Sequence, residues 1–232
     1  MLLLNADVGE GIDVDNALMP FLTFANIACG GHAGNQQTIT QTLELAKKYN
    51  VKIGAHPSYI DKENFGRVSH KLPIADLEKL LQNQIDFFTA QANVLNMHMQ
   101  HIKLHGALYN DVFADKEITC WFLNWCQKKY PKTKIFVPLA ASTFVPDSFK
   151  KIVLIEAFAD RNYSDNLQLI SRKESNACLE SIEEVEKHVR TIMDNKLITL
   201  KGEVFKVQVD TLCLHGDHPK VLEFAKIISN LI

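Results

Sequence analysis

Ionisable residues gather at the ends of short apolar runs in this chain. LLLNAD carries Asn5 and Asp7, FANIACGGHAG carries His32, and VKIGAHP carries His56. HIKLHGALYN follows with Lys103 and His105, VLIEAFADRNY with Glu156, Asp160 and Arg161, and DTLCLHGDHP with His215 and Asp217. Such residues move protons, stabilise anions or bind metals, and burying them without partners is costly. A lone histidine on an apolar strand is more often a satisfied core residue than a catalytic one. Repetition of the pattern along the chain points to one shared site. Glycines recur beside these ends (Gly30, Gly31, Gly34, Gly54, Gly106, Gly216), where a backbone turns sharply or approaches a ligand closely.

Several chemistries can be weighed on spacing. Asn5, Asp7, His32, His56 and His105 offer nitrogen and oxygen donors, with Asp7, His32 and His56 the candidate metal ligands. None of them has the helix-borne HxxxH or HExxH spacing of a metal site, since Gln36 stands four residues after His32 and HIKLH, which spaces His101 and His105 by four, reads as a strand end. No P-loop occurs either, although the glycines from Gly30 to Gly34, placed before a helix, could cradle an anion. Cys29 and Cys213 lie beside strand ends and could act as nucleophiles or as small buried fillers, the commoner fate of a free cysteine. His70, His98 and His188 read as solvated surface, and His218, before Pro219, as a cap of the last helix.

Elements of alternating type must position these residues. Asn35 can cap a helix to about Tyr49 that aligns Ile39, Leu43 and Ala46. Pro73 opens another, reaching about Leu95 through Leu77, Leu81, Ile85 and Phe88. Further helices are predicted from Asp115 to Lys129, from Ile182 to Asp194, and from Pro219 to the end. The βαβα order predicts a parallel α/β sheet or barrel, in which ligands bind beyond the carboxyl ends of the strands. Residues 162–181 are polar and irregular, and LKGEVFKVQVD around Gly202 reads as a hairpin; both are expected as insertions near the mouth.

The 232 residues fit one domain, residues 1–232, with 47% hydrophobic and 22% charged residues and a formal net charge of -2. That balance argues against nucleic acid as a partner. MLLLNADVGEG is too short in its apolar run for a signal peptide or membrane span, so a cytoplasmic protein is expected. Five scattered cysteines without CxxC spacing fit a reducing compartment.

The strings LNADVGEG, ANIACGGHAG, IGAHPSY followed by NFGR, KLHGALYN, EAFADRNY and LHGD, in that order, resemble the LamB/YcsF family from Leu4 to the last helix. The resemblance implies an irregular seven-stranded β/α barrel of the glycoside hydrolase/deacetylase type. It also implies the A subunit of 5-oxoprolinase, which works with B and C subunits to open the lactam 5-oxo-L-proline to L-glutamate with ATP hydrolysis. ATP would then be a co-substrate, bound with or by a partner, and a divalent metal stays open.

Resonance stabilises an amide, and the rotation barrier of about 18–20 kcal/mol measures that electron sharing. Phosphorylating the amide oxygen would make the carbon electrophilic. The reaction then needs a base for water, positive groups for anionic oxygens and an acid for the ring nitrogen. On residue chemistry and motif position, Asp7 is the leading base, Lys103 and Arg161 stabilise anionic oxygens, and His105, with His56 or His215, moves protons. Asn5, His32, Glu156 and Asp160 orient these groups or bind substrate, while Tyr109, Arg67 and Arg172 are candidates for its carboxylate. A structural alternative pairs Asp160 with Arg161 in a salt bridge, and Tyr109 packs in the core. Leu104 replaces a usual proline, Asn35 an aspartate and Val68 an arginine of the family pattern. Leu104 is expected to point away from the pocket, because side chains alternate along a strand. A stand-alone metal-dependent hydrolase or deacetylase, or a non-catalytic ligand-binding subunit, remains the alternative.

Overall fold

In the first strand, β1 (Leu3–Val8), the fully buried Leu4, Ala6 and Val8 alternate with Asn5 and Asp7. A strand in a closed barrel must divide its residues in this way, one face toward the helices and one toward the interior. The computed structural model describes residues 2–232. After the short α1 (Asp15–Leu18) come β2 (Phe24–Ala28), α2 (Gln36–Lys48), β3 (Lys52–His56), α3 (Ile74–Val94) and β4 (His101–Ile102). There follow α4 (Gly106–Ala114), α5 (Lys116–Lys129), β5 (Lys134–Pro138), β6 (Val153–Phe158), α6 (Ile182–Met193), the hairpin β7 (Lys196–Ile198) and β8 (Val204–Lys206), β9 (Thr211–Leu214) and α7 (Val221–Leu231).

Seven strands close a parallel barrel in the order β1-β2-β3-β4-β5-β6-β9, as the α/β reading expects. The barrel is irregular where β6 passes to β9 through residues 162–181, α6 and the antiparallel hairpin. Local chemistry sets the helix starts. Asn35 and Thr38 form a reciprocal capping box on α2, Ser181 and Glu184 another on α6, and the Asp115 carboxylate caps α5. Ile39, Leu43 and Ala46 of α2 and Leu77, Leu81, Ile85 and Phe88 of α3 are buried in one hydrophobic core with the outward-facing strand residues. Leu104 joins that core, 1% exposed, which accounts for its tolerance between the polar Lys103 and His105. Among the described residues no helix is long and apolar enough to cross a membrane.

Some local expectations need correction. The hairpin turns at Gly202, at φ +89°, as expected, but its first strand lies earlier, at Lys196–Ile198. His188 is not solvated surface: it is half-buried, and its Nε2 lies 3.1 Å from the Phe158 carbonyl because α6 packs beside the end of β6. Of the glycines after β2, Gly30 uses its N–H inside the loop and Gly34 is fixed by close backbone packing. Gly30 N–H donates to Ala33 at 2.7 Å, and Gly34, at φ +87°, sits where a Cβ would come within 2.9 Å of the Ala28 carbonyl.

Candidate functional site

Inward-facing residues stack polar groups along the barrel axis, and their order starts from Asn5. Its Nδ2 donates to Thr211 Oγ1 at 2.9 Å and the Leu212 carbonyl at 3.1 Å across the β1–β9 seam. Its Oδ1 accepts from Asn26 Nδ2 at 2.8 Å, and the same amide donates to Asp7 Oδ1, also at 2.8 Å. That leaves Asn26 Oδ1 as the acceptor for His101 Nε2–H at 2.7 Å. The His101 ring occupies space that only a glycine at position 54 provides, since a Cβ there would collide with Nε2. A run of hydrogen bonds from His101 through Asn26 therefore fixes one oxygen of Asp7.

Lys103 reaches the same oxygen from the end of β4. Its Nζ lies 2.9 Å from Asp7 Oδ1, 3.0 Å from Cys213 Sγ and 3.2 Å from Glu156 Oε1, with Asn5 Oδ1 at 3.4 Å. Burial alone would deprotonate this lysine, but Asp7 and Glu156 outweigh it and raise its pKa well above the usual value. Burial likewise works against an ionised Asp7, yet the neighbouring His56 and the Lys103 ammonium hold its carboxyl well below the usual carboxylate range. Tyr109 donates to Glu156 Oε2 at 2.8 Å, so its hydroxyl orients Glu156 rather than facing the mouth. The two candidate nucleophiles are protonated thiols. Burial pushes Cys29 up to about 12, and it raises Cys213 well above the usual thiol value despite the neighbouring ammonium.

Above Asp7 three histidines and Glu10 converge. Asp7 Oδ2 is 3.3 Å from His56 Nε2. Opposite that nitrogen, His56 Nδ1 lies 2.8 Å from the Lys103 carbonyl, so Nδ1 carries a proton and donates it there. His105 Nε2 lies 3.0 Å from the Phe65 carbonyl and is protonated for the same reason. The remaining nitrogens, His56 Nε2 and His105 Nδ1, face each other at 3.0 Å. Two lone pairs repel at that separation unless a positive centre lies between them. Glu10 Oε1 is 3.4 Å from His105 Nδ1, 3.9 Å from His56 Nε2 and 2.8 Å from His32 Nε2. His32 stacks flat on His105, with ring centroids 3.6 Å apart and planes 4° apart. Burial lowers both His32 and His105 to about 3, with the nearby His56 adding to the effect. Burial and the neighbouring Asp7 charge raise Glu10 above its ordinary value. The loop that supplies the Phe65 carbonyl is tightly built: Phe65 has φ +55°, and a Cβ on Gly66 would stand 2.9 Å from His32 Cβ and 3.0 Å from His105 Cδ2.

The remaining candidates occupy the rim. His215 Nδ1 lies 3.0 Å from both Asp160 oxygens, and His215 and Arg161 hold that carboxyl below the usual range against the effect of burial. Arg172 and Arg67 both approach Asp217 Oδ2, at 2.6 and 3.3 Å. Asp160, Arg172, Glu180, Asp217 and Lys220 help to line a cleft of about 420 Å³ beside them. Arg161 is not brought to Lys103 or paired with Asp160. It donates to the carbonyls of Ala177 and Ile170, because the chain excursion after β6 folds back over it. Asn35 stays on the surface as a helix cap, and Val68 is 45% exposed.

The residues able to hold a metal differ from the set expected on sequence. Among the described residues, one donor atom from each of Glu10, His32, His56 and His105 lies within 4.8 Å of the others; Asp7 stands beside this group, bonded to Lys103 and Asn26. Glu10, Asn26 and His101 are the residues that sequence reasoning missed. His101 stands two residues before Lys103, so strand alternation alone places both on the same face. Glu10 follows Asp7 in LNADVGEG without a strand period to flag it.

Residues 2–232 match the LamB/YcsF family model. Relatives named as the A subunit of 5-oxoprolinase include proteins of Erwinia tasmaniensis, 38% identical with 96% of this chain and 91% of that protein covered, and Staphylococcus epidermidis, 34% identical with 98% and 93% covered. A crystal structure described as a lactam utilization protein from Thermus thermophilus superposes with a TM-score of 0.84 at 28% identity, covering 99% of this chain and 94% of that one.

Proposed function

The chain belongs to the LamB/YcsF family, and from that premise we propose that it is the A subunit of an ATP-dependent 5-oxoprolinase that opens 5-oxo-L-proline to L-glutamate. The observation that carries this reading is the near full-length similarity to proteins named as that subunit, at 34–38% identity. The B and C subunits are the partners, and ATP is bound with or by one of them. In the proposed reaction a phosphoryl group passes to the lactam oxygen and water adds to the ring carbon. The C–N bond breaks as its nitrogen takes a proton, and a second water hydrolyses the resulting acyl phosphate to carboxylate and inorganic phosphate.

Each step has a group suited to it. Asp7 is ionised at neutral pH, with Oδ1 held by Lys103 and Asn26, so Oδ2 is left to take the proton of the attacking water. A carboxylate with so low a pKa is a weak base. Glu10, His56 and His105 are the residues that would hold a metal ion beside it, and such an ion would supply the acidity that water needs before Asp7 takes its proton. Asp160 fixes the ring of His215, whose Nε2 then serves as proton donor to the departing nitrogen. Arg172 and Arg67 at the rim supply positive charge for the substrate carboxylate.

The test is reconstitution. The purified chain, mixed with candidate B and C subunits, is expected to form glutamate and ADP together from 5-oxoproline, and Asp7→Asn is expected to abolish both without unfolding the chain. Glutamate without ADP, or neither product from a folded mixture, overturns the proposal. Turnover by the chain alone without ATP would instead identify a stand-alone hydrolase.

A further inference from the structure

Glu10, His56 and His105 each present one donor atom to the same point: the two histidines are held through their opposite ring nitrogens, and Glu10 is held by His32 at the inward oxygen itself. His56 Nδ1–H donates to the Lys103 carbonyl and His105 Nε2–H to the Phe65 carbonyl, which fixes both tautomers with the free lone pairs inward. His32 Nε2, 2.8 Å from Glu10 Oε1, donates to it and holds that carboxylate in place. Metal-binding histidines and carboxylates have this outer support as a rule: the second ring nitrogen donates to a carbonyl, and the carboxylate accepts a hydrogen bond. The separations also agree. Ligands about 2.0–2.2 Å from a tetrahedral ion lie about 3.4 Å from one another. Here His56 Nε2 and His105 Nδ1 are 3.0 Å apart, with Glu10 Oε1 at 3.4 and 3.9 Å from them.

We propose that Glu10 Oε1, His56 Nε2 and His105 Nδ1 bind one divalent transition-metal ion of the zinc class, with a fourth position open beside Asp7. Two imidazoles and a carboxylate exclude calcium and magnesium, which take oxygen ligands, and match the donor set of catalytic zinc with three protein ligands. His32 is not a fourth ligand in this arrangement. Its ring lies parallel to His105 at 3.6 Å, and a lone pair in that plane cannot be directed at the ion that His105 binds in its own plane. It is a positioning residue, acting through Glu10. Asp7 Oδ2, 3.3 Å from His56 Nε2, is within reach of a water in the open position. The assignment stands on these contacts and not on the reaction, so metal binding and lactam opening can fail separately.

The experiment uses the full chain without partners. After chelation and dialysis the protein is titrated with Zn²⁺ and, separately, with Co²⁺; bound metal is counted by elemental analysis and the Co²⁺ complex read by its visible spectrum. One ion per chain is expected, with the intense absorption of a four- or five-coordinate Co²⁺. His32→Asn should weaken Zn²⁺ binding about 10–100-fold with the stoichiometry kept, as loss of outer support does elsewhere. Glu10→Gln and His105→Asn should each weaken it further and alter the Co²⁺ spectrum. Absence of stoichiometric binding by the folded unsubstituted chain overturns the proposal. So does undiminished binding by a folded Glu10→Gln/His105→Asn variant, which would place the ion elsewhere.

Discussion

Lys103→Met removes a charge while keeping most of an unbranched stem. The ammonium is 2.9 Å from Asp7 and 3.2 Å from Glu156, and Lys103 is 2% exposed, so the carboxylates depend on it for compensation. At an effective dielectric of about 20, each contact is worth on the order of 5 kcal/mol before the desolvation of the ammonium is subtracted. Breaking such a buried network by removing one partner costs about 3–5 kcal/mol, against about 0–1 kcal/mol for a surface pair. Thermal unfolding of a chain this size should therefore fall by about 6–20 °C. The pH dependence gives a second check. The depressed Asp7 carboxyl contributes stability above its unfolded pKa of about 3.9, and that contribution is lost as pH falls through the folded value. The raised Lys103 contributes fully below about pH 10.4 and loses its contribution only as pH rises through its folded value, above that. The gap between wild type and variant should thus be widest near neutral pH and narrow as pH falls, first where the uncompensated Asp7 of the variant takes up a proton and last where that of the wild type does. Urea denaturation across this range measures it. A loss under about 1 kcal/mol at pH 7, or a gap that stays constant into acid, would refute the claim that Lys103 holds these carboxylates by its charge.

Two further substitutions test the shell around the site. Gly54→Ala drives a methyl against His101 Nε2, in a ring already stacked on Phe136 at 4.5 Å, so a loss of at least about 1–3 kcal/mol is expected in chemical denaturation. A loss below about 0.5 kcal/mol would mean that the ring has room to retreat. Asp15 is pushed up to about 6 by burial, with Glu10 and Asp13 adding to the rise and the Gly9 N–H opposing it. Its ionisation in the folded state therefore lowers stability above about pH 4, increasingly up to about pH 6, and Asp15→Asn, which keeps an acceptor for Gly9, should stabilise by about 1–3 kcal/mol at pH 7.5 and by nothing near pH 4. Equal gains at both pH values would contradict that assignment.

Much of the architecture was legible in the sequence because it is local. Asn35, Asp115 and Ser181 cap helices through bonds to backbone only two or three residues away, and the alternation of Leu4, Ala6 and Val8 with Asn5 and Asp7 sets which face of β1 turns inward. Closure of the sheet, by contrast, needs β9 to return beside β1, and only then do Asn5 and Thr211 meet. The strand ends were visible as a polar set for the same reason that their partners were not. Lys103 and Asp7 are 96 positions apart, and nothing near either one dictates that they share a polar interior with Glu156 and Cys213.

The sequence by itself determined the alternation of elements, the inward face of β1 and the family. Tertiary structure decided which polar residues act together. It directed Arg161 to the carbonyls of Ala177 and Ile170, tied Tyr109 to Glu156, and brought in Glu10, Asn26 and His101. It also set the chemistry of the histidines, since the carbonyls of Lys103 and Phe65 determine which nitrogen of His56 and of His105 keeps its lone pair. Residue type specifies that an imidazole can donate, accept or bind a metal; only the atoms folded around it select among the three.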